Sequence, residues 1–230
     1  MATCPDELSG LAEFSTIPSD PAFPEHAWGR RVVTLAHVYD GPANIGEQLT
    51  APLRNFGEPL VDFSGAMPYR TLQMMYDTIF PKGRDRCYWK STYLKRLDDE
   101  IIREITAGLT IRPSDMTFAS IWKFGGAVQR VPADATAFGD RSMPFMLSLD
   151  AIWSKPEDDS ANVTWARTLW NNMQRHSTGR LYLNFPGHGE GDNLVRDAFG
   201  AETYARLQKV KGRYDPENLF RMNQNIVPAP

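Results

Sequence analysis

Apolar residues recur along this chain at two spacings, and the switches between them divide it into strands and helices. Arg31–Tyr39 (RVVTLAHVY) is rich in β-branched residues and predicts a strand. A short strand before residue 16 and a proline-bearing loop over 16–29 precede it. Ile45, Leu49, Leu53 and Phe56 fall at helical spacing. Pro52 predicts a kink or break there, because an interior proline costs a helix ~3 kcal/mol. Pro68 is suited to open a second helix, where its missing N–H does no harm, with Leu72, Met75 and Ile79 turned inward. Residues 86–93 read as a strand that places Tyr88, Lys90 and Thr92 on one side and Cys87, Trp89, Ser91 and Tyr93 on the other.

Asp98 caps a predicted helix whose apolar face is Ile101, Ile102, Ile105 and Leu109. Two longer strands are expected over 116–124 and 143–153. The acidic run Glu157-Asp158-Asp159-Ser160 favours a helix N-terminus, and the stripe Val163, Ala166, Leu169, Trp170 and Met173 continues it. Gly179 ends that segment, Leu181–Phe185 reads as a short strand, and 200–211 as a last helix. Strands separated by helices are compatible with a parallel sheet. No strand leads into a glycine-rich phosphate loop, however, so the pattern leaves sheet direction open.

Composition narrows the function classes. The chain has 230 residues and a net charge of −3, so nothing draws it broadly to nucleic acid or to an anionic membrane. No apolar run approaches the ~18 residues of a membrane span. The first residues, MATCPDELSG, lack the apolar stretch of a secretory leader, and the two cysteines, Cys4 and Cys87, have no metal or redox spacing. The expectation is a cytoplasmic protein with reduced cysteines.

The last residues, Tyr214–Pro230 (YDPENLFRMNQNIVPAP), are unusual for a terminus. Asp215-Pro216 forces a turn. Asn223, Gln224 and Asn225 then offer uncharged donors and acceptors beside Met222 and Ile226, a composition suited to lying against another structure. This segment resembles the C-terminal signature of the berberine-bridge-enzyme-like FAD-linked oxidases. Tyr88-Trp89-Lys90-Ser91, GGAVQRVPADATAF (125–138) and LYLNFPGHGEG (181–191) agree with bacterial members. The resemblance implies an α+β fold: an antiparallel sheet with helices packed on one face, a substrate-binding domain over 1–212 and a tail over 213–230. It covers only the family's second half. Members begin with a flavin-binding domain about as long as this chain, to which nothing here corresponds.

On a strand, Tyr182 and Asn184 would project together, either into a ligand cleft or as a half-buried tyrosine beside an amide serving the backbone. The resemblance implies Tyr182 as the catalytic candidate and Asn184, Asn223 and Asn225 as contacts to the cofactor or its domain. It implies Trp89, Lys90 and Arg141 as substrate-side residues. Two positions depart from the family. Phe185 stands where several members carry a tyrosine base, and a phenyl ring has no proton to exchange. Asp140 stands where relatives often place a histidine before the arginine. His188, in a glycine-rich loop, and the scattered His26, His37 and His176 suggest no metal site.

The function this implies is the substrate-binding half of an FAD-dependent oxidoreductase acting on an alcohol, amine or sugar-like molecule, with the flavin held by a separate domain or subunit. The departures at Phe185 and Asp140 keep an alternative open: a flavin-free binding module or cofactor-independent enzyme of the same descent. A homodimer would cover the face that bears Tyr182 and Asn184.

Overall fold

The computed structural model describes residues 4–185, 193–222 and 224–229. Five strands, β1 (Leu8–Thr16), β2 (Arg31–Tyr39), β3 (Arg86–Leu94), β4 (Phe118–Lys123) and β5 (Phe145–Trp153), form one sheet in the order β2-β1-β4-β5-β3. Every pairing is antiparallel. The expected α+β architecture is therefore present, with its helices on one face.

Two helices make that face. In α3 (Asp99–Thr110), the Asp98 carboxylate accepts from the Ile101 amide at 3.1 Å, the cap the sequence predicts. Ile101, Ile105 and Leu109 turn to the sheet. Its neighbour α5 (Asp159–Met173) brings Trp165, Ala166, Leu169 and Met173 into the same core, over Tyr88, Ala119, Ile121, Leu147, Leu149, Ala151 and Trp153 of the strands. The two helices meet closely at Gly108. A Cβ there would lie 2.6 Å from a Leu169 methyl, and the Gly108 carbonyl accepts from Trp165 Nε1 at 2.8 Å.

The remaining helices are peripheral. Helix α1 (Ala43–Arg54) is unbroken by Pro52, which falls in its last turn, so it removes only the bond to the Gln48 carbonyl and little helix follows to be kinked. Helix α2 is short (Tyr69–Met74); Leu72 and Ile79 are half-buried, and Met75 is exposed rather than inward. A single turn, α4 (Ala127–Arg130), precedes β5, and α6 (Leu194–Phe199) packs with α7 (Ala201–Tyr214). Among the described residues no helix is long and apolar enough to cross a membrane.

The expected strand at 181–185 is a turn instead. The Phe185 amide donates to the Tyr182 carbonyl at 3.0 Å, while the Ser91 hydroxyl of edge strand β3 accepts from the Tyr182 amide at 3.1 Å. One hydroxyl thus takes the place of a strand ladder.

After α7 the chain folds back. The Asp215 carboxylate accepts from the Leu219 and Phe220 amides at 2.7 and 3.0 Å and pairs with Lys211, so the YDPENLF string is a turn built on one aspartate. The tail then runs along α7: the Ala229 amide donates to the Gln208 carbonyl at 3.0 Å, and Gln208 Nε2 donates to the Val227 carbonyl at 3.2 Å.

Candidate functional site on the second sheet face

Antiparallel pairing places alternate residues of each strand on the face opposite α3 and α5. Register aligns Ser91, Ser148, Ser120, Glu13 and Thr34 in one row across all five strands. The next row holds Trp89, Asp150 and Phe118. A hydrophobic core would not carry such a row; a surface meant for a polar ligand between aromatic walls would.

Asp150 is strongly perturbed on this face. It is 5% exposed, with Trp89 and Phe118 as its cross-strand neighbours. Burial lifts its carboxyl from the ordinary range to about 7, opposed in part by the Ser148 hydroxyl, which donates to it at 2.6 Å. Glu13 is raised as well, again chiefly by burial. The Tyr76 hydroxyl is pushed up by burial and then by the nearby charges of Glu13 and Asp150. Three elements far apart in sequence thus converge on one proton-exchanging group.

Aromatic rings frame it. Trp89 meets Phe80 and Phe185 edge-on at centroid distances of 5.1 and 5.6 Å. Phe185, which cannot serve as a base, is here a wall residue. It also packs against Tyr182 at 5.5 Å, and Tyr182 continues to Phe138 at 6.1 Å. The Arg141 guanidinium lies 4.5 Å from the Phe138 ring centroid, and its Nη2 donates to Thr136 Oγ1 at 2.8 Å. Tyr182, Trp89 and Arg141 are therefore linked by one chain of aromatic and cation–π contacts.

Tyr182 and Asn184 do come together: Asn184 Nδ2 donates to the Tyr182 hydroxyl at 2.7 Å. They do so across a turn, with Asn184 exposed and Tyr182 half-buried. The tail reaches the same turn, where Gln224 Nε2 donates to the Leu183 carbonyl at 3.3 Å. Asn225 Oδ1 is buried without a hydrogen-bond partner among the described residues, as are Trp89 Nε1 and the Tyr93 hydroxyl. Asn223 and the His188 loop lie outside the described residues. Asp140 is buried and accepts from the Ser142 amide and hydroxyl at 2.9 and 2.6 Å, holding the turn before Arg141.

Lys90 is placed elsewhere. Strand alternation sends it to the helix side, 3% exposed, with its ammonium 3.8 Å from the Trp170 ring centroid in α5. It cannot line the same surface as Trp89. Two surface grooves of about 310 and 280 Å³ also lie on the helix side, between α3 and α5. Neither adjoins Asp150.

Comparison with known proteins bears on the fold. Residues 181–227, from the Tyr182 turn through the tail, match the family "Berberine and berberine like". The whole chain superposes on the structure of BBE-like #28 from Arabidopsis thaliana with a TM-score of 0.75 at 18% identity, covering 99% of this chain and 51% of the other. The chain has the fold of the BBE-like FAD-linked oxidoreductases, and its C-terminal region matches that family's model. It is 36% identical over 106 residues to YvdP of Bacillus subtilis, an FAD-linked oxidoreductase (46% of this chain, 23% of that protein). It is 31% identical over 193 residues to YgaK of the same organism, also an FAD-linked oxidoreductase (82% of this chain, 41% of that protein). Like the Arabidopsis match, YgaK shows this BBE-like chain spanning about half the length of its relatives.

Asp150, Glu13, Tyr76 and Ser148 were not singled out by sequence reasoning. The available signal was Asp150 itself, an acidic residue inside a largely apolar strand, FMLSLDAIW.

Proposed function

We propose that this chain forms the substrate side of an FAD-dependent oxidoreductase that oxidises a small alcohol, amine or sugar-like molecule. The flavin is held by a nucleotide-binding unit outside these 230 residues. One observation carries the reading: a carboxylate on the second sheet face, buried between aromatic neighbours, that exchanges its proton near neutral pH.

Removing a hydride from a C–H bond beside a hydroxyl or amine requires that the O–H or N–H proton leave as well. A base whose pKa lies near the working pH is the best acceptor. Asp150 meets that condition through burial, with Ser148 fixing the orientation of its carboxylate. Tyr182, donated to by Asn184, offers a hydroxyl at the margin of the same surface. Arg141, held over Phe138, offers a cation for a polar substrate group. Trp89 and Phe185 exclude water from one side.

The flavin fits the chain at its margin rather than as a full dinucleotide site. Asn225 Oδ1 is buried and lacks a partner, which suits the polar edge of a ring system. Leu219, Phe220 and Met222, 71%, 82% and 84% exposed, suit contact with the unit that holds the rest. When bound, FAD supplies the two-electron acceptor.

The test is Asp150→Asn in the complete FAD-loaded enzyme. The amide cannot take a proton, so turnover at neutral pH falls by about 10²–10⁴-fold while FAD content is unchanged. Turnover within twofold of wild type sinks the proposal.

A further inference from the structure

On the helix side, well away from that surface, three potential ligands converge that sequence spacing kept apart. Glu100 and Glu104 lie four residues apart in α3, hence on one side of it. His176 closes a single 3-10 turn (Gln174–His176) after α5. One ligand atom from each residue lies within 4.8 Å of the others.

Two of these atoms are orphans. Glu104 Oε2 and His176 Nε2 are both buried without a hydrogen-bond partner among the described residues, and they face each other at 3.4 Å. The His176 side chain is 6% exposed. An imidazole nitrogen and a carboxylate oxygen at that distance repel through their lone pairs unless a proton or a cation lies between them. Ligands at 2.0–2.2 Å from a tetrahedral zinc ion stand roughly 3.3 Å apart, the separation these two atoms already have.

The surroundings hold both in place. The Lys95 amide donates to the His176 carbonyl at 3.4 Å, and Ser177 bridges to Leu94, so the histidine is tied to the end of β3. Arg175 pairs with Glu104 Oε1, which orients the carboxylate and leaves Oε2 for a ligand, as an outer partner does in a metal centre. Arg96 lies 3.8 Å from Glu100, an exposed side chain that can swing the remaining distance.

We propose that Glu100, Glu104 and His176 bind a first-row divalent transition-metal ion, zinc being the natural occupant, and so staple α3 to the end of α5. One imidazole with two carboxylates favours such an ion over magnesium or calcium, which prefer all-oxygen sites. The site is structural: it lies behind the sheet and does not touch the Asp150 surface. A metal bound only by the folded chain stabilises it by mass action.

Titration of the chelator-treated 230-residue chain with Co(II), followed by visible absorption and thermal melting, tests this. Expected are saturation at one ion per chain, displacement by Zn(II), and a melting temperature raised by about 5–10 °C at a hundredfold excess over Kd. Glu104→Gln and His176→Gln each weaken binding at least tenfold. Glu100→Gln, exposed and outside the core, folds normally and weakens it severalfold, so the test survives if the buried histidine variant does not fold. No saturation at millimolar Co(II), or unchanged affinity in Glu100→Gln and Glu104→Gln, overturns the proposal. The first result leaves a proton between His176 and Glu104; the second places the ion elsewhere.

Discussion

The two faces of the sheet are made from the same five strands, alternate residue by alternate residue, yet they obey different rules. Toward α3 and α5, β5 presents Leu147, Leu149, Ala151 and Trp153, all packed into one core. Toward the other side the same strand presents Met146, Ser148, Asp150 and Ile152. The first face lowers free energy by hiding apolar area. The second hides a carboxylate and a row of hydroxyls, which costs stability unless something is gained in return. Polar groups kept at a cost are what the proposed substrate surface calls for.

The contrast is sharpest in neighbouring substitutions on β5. Leu149→Ala removes a side chain that is 1% exposed, leaving a cavity beneath α5, and should destabilise by about 2–5 kcal/mol in urea unfolding. A loss under 1 kcal/mol would break the claim that this face is the one that holds the fold.

One position along, Asp150→Asn should act in the opposite direction at high pH. An unfolded aspartate titrates near 3.9, whereas Asp150 in the fold titrates at about 7. Between those values the unfolded chain binds fewer protons than the native one, so wild-type stability falls as pH rises from about 4 to about 7 and levels off above. Asparagine removes that slope. At pH 8 the variant should be more stable than wild type by about 2–4 kcal/mol, and near pH 4 the two should converge. Glu13, also raised by burial, leaves a weaker slope of the same sign in both proteins. Parallel stability curves for variant and wild type would remove Asp150 as the source.

Smaller again is Asp98→Ala, which takes away the side-chain acceptor of the Ile101 amide and should lower the urea midpoint at neutral pH by less than Leu149→Ala does. Binding to the capped amide holds the Asp98 carboxyl below its usual range, so this contribution is present at neutral pH and fades as acid protonates it. The opposite pH trends of Asp98 and Asp150 can be read in the same titration.

Asp98 also shows what the sequence makes legible. Its role depends on the next three residues; β-branched content likewise marks β2, and period-two alternation on β3 sorts Trp89 from Lys90. Consequences of distant neighbours were not legible. Residues 181–185 alternate as a strand does, but the Ser91 hydroxyl turns them. Lys90 looked like a ligand contact until α5 set Trp170 over it. Asp150 has ordinary chemistry until Trp89 and Phe118 flank it, and His176 has no partner until α3 supplies Glu104. Most of the elements could be read from local pattern, whereas the antiparallel direction of the sheet came from the family resemblance. The site could not be read from pattern, because its chemistry comes from burial.

The smallest expected effect separates structure from chemistry at the margin of the second face. In Tyr182→Phe the ring still packs against Phe138 and Phe185, and only the hydroxyl that accepts from Asn184 is lost. Since Asn184 is exposed, water replaces that bond, and unfolding should change by less than about 0.5 kcal/mol. Ser91→Ala, which strips the Tyr182 amide of its acceptor, should cost about 1 kcal/mol by comparison. If Tyr182 serves the substrate, turnover of the FAD-loaded enzyme nonetheless drops by roughly tenfold or more in the phenylalanine variant. If it only props the turn, turnover should follow stability, and Ser91→Ala should be the more damaged of the two.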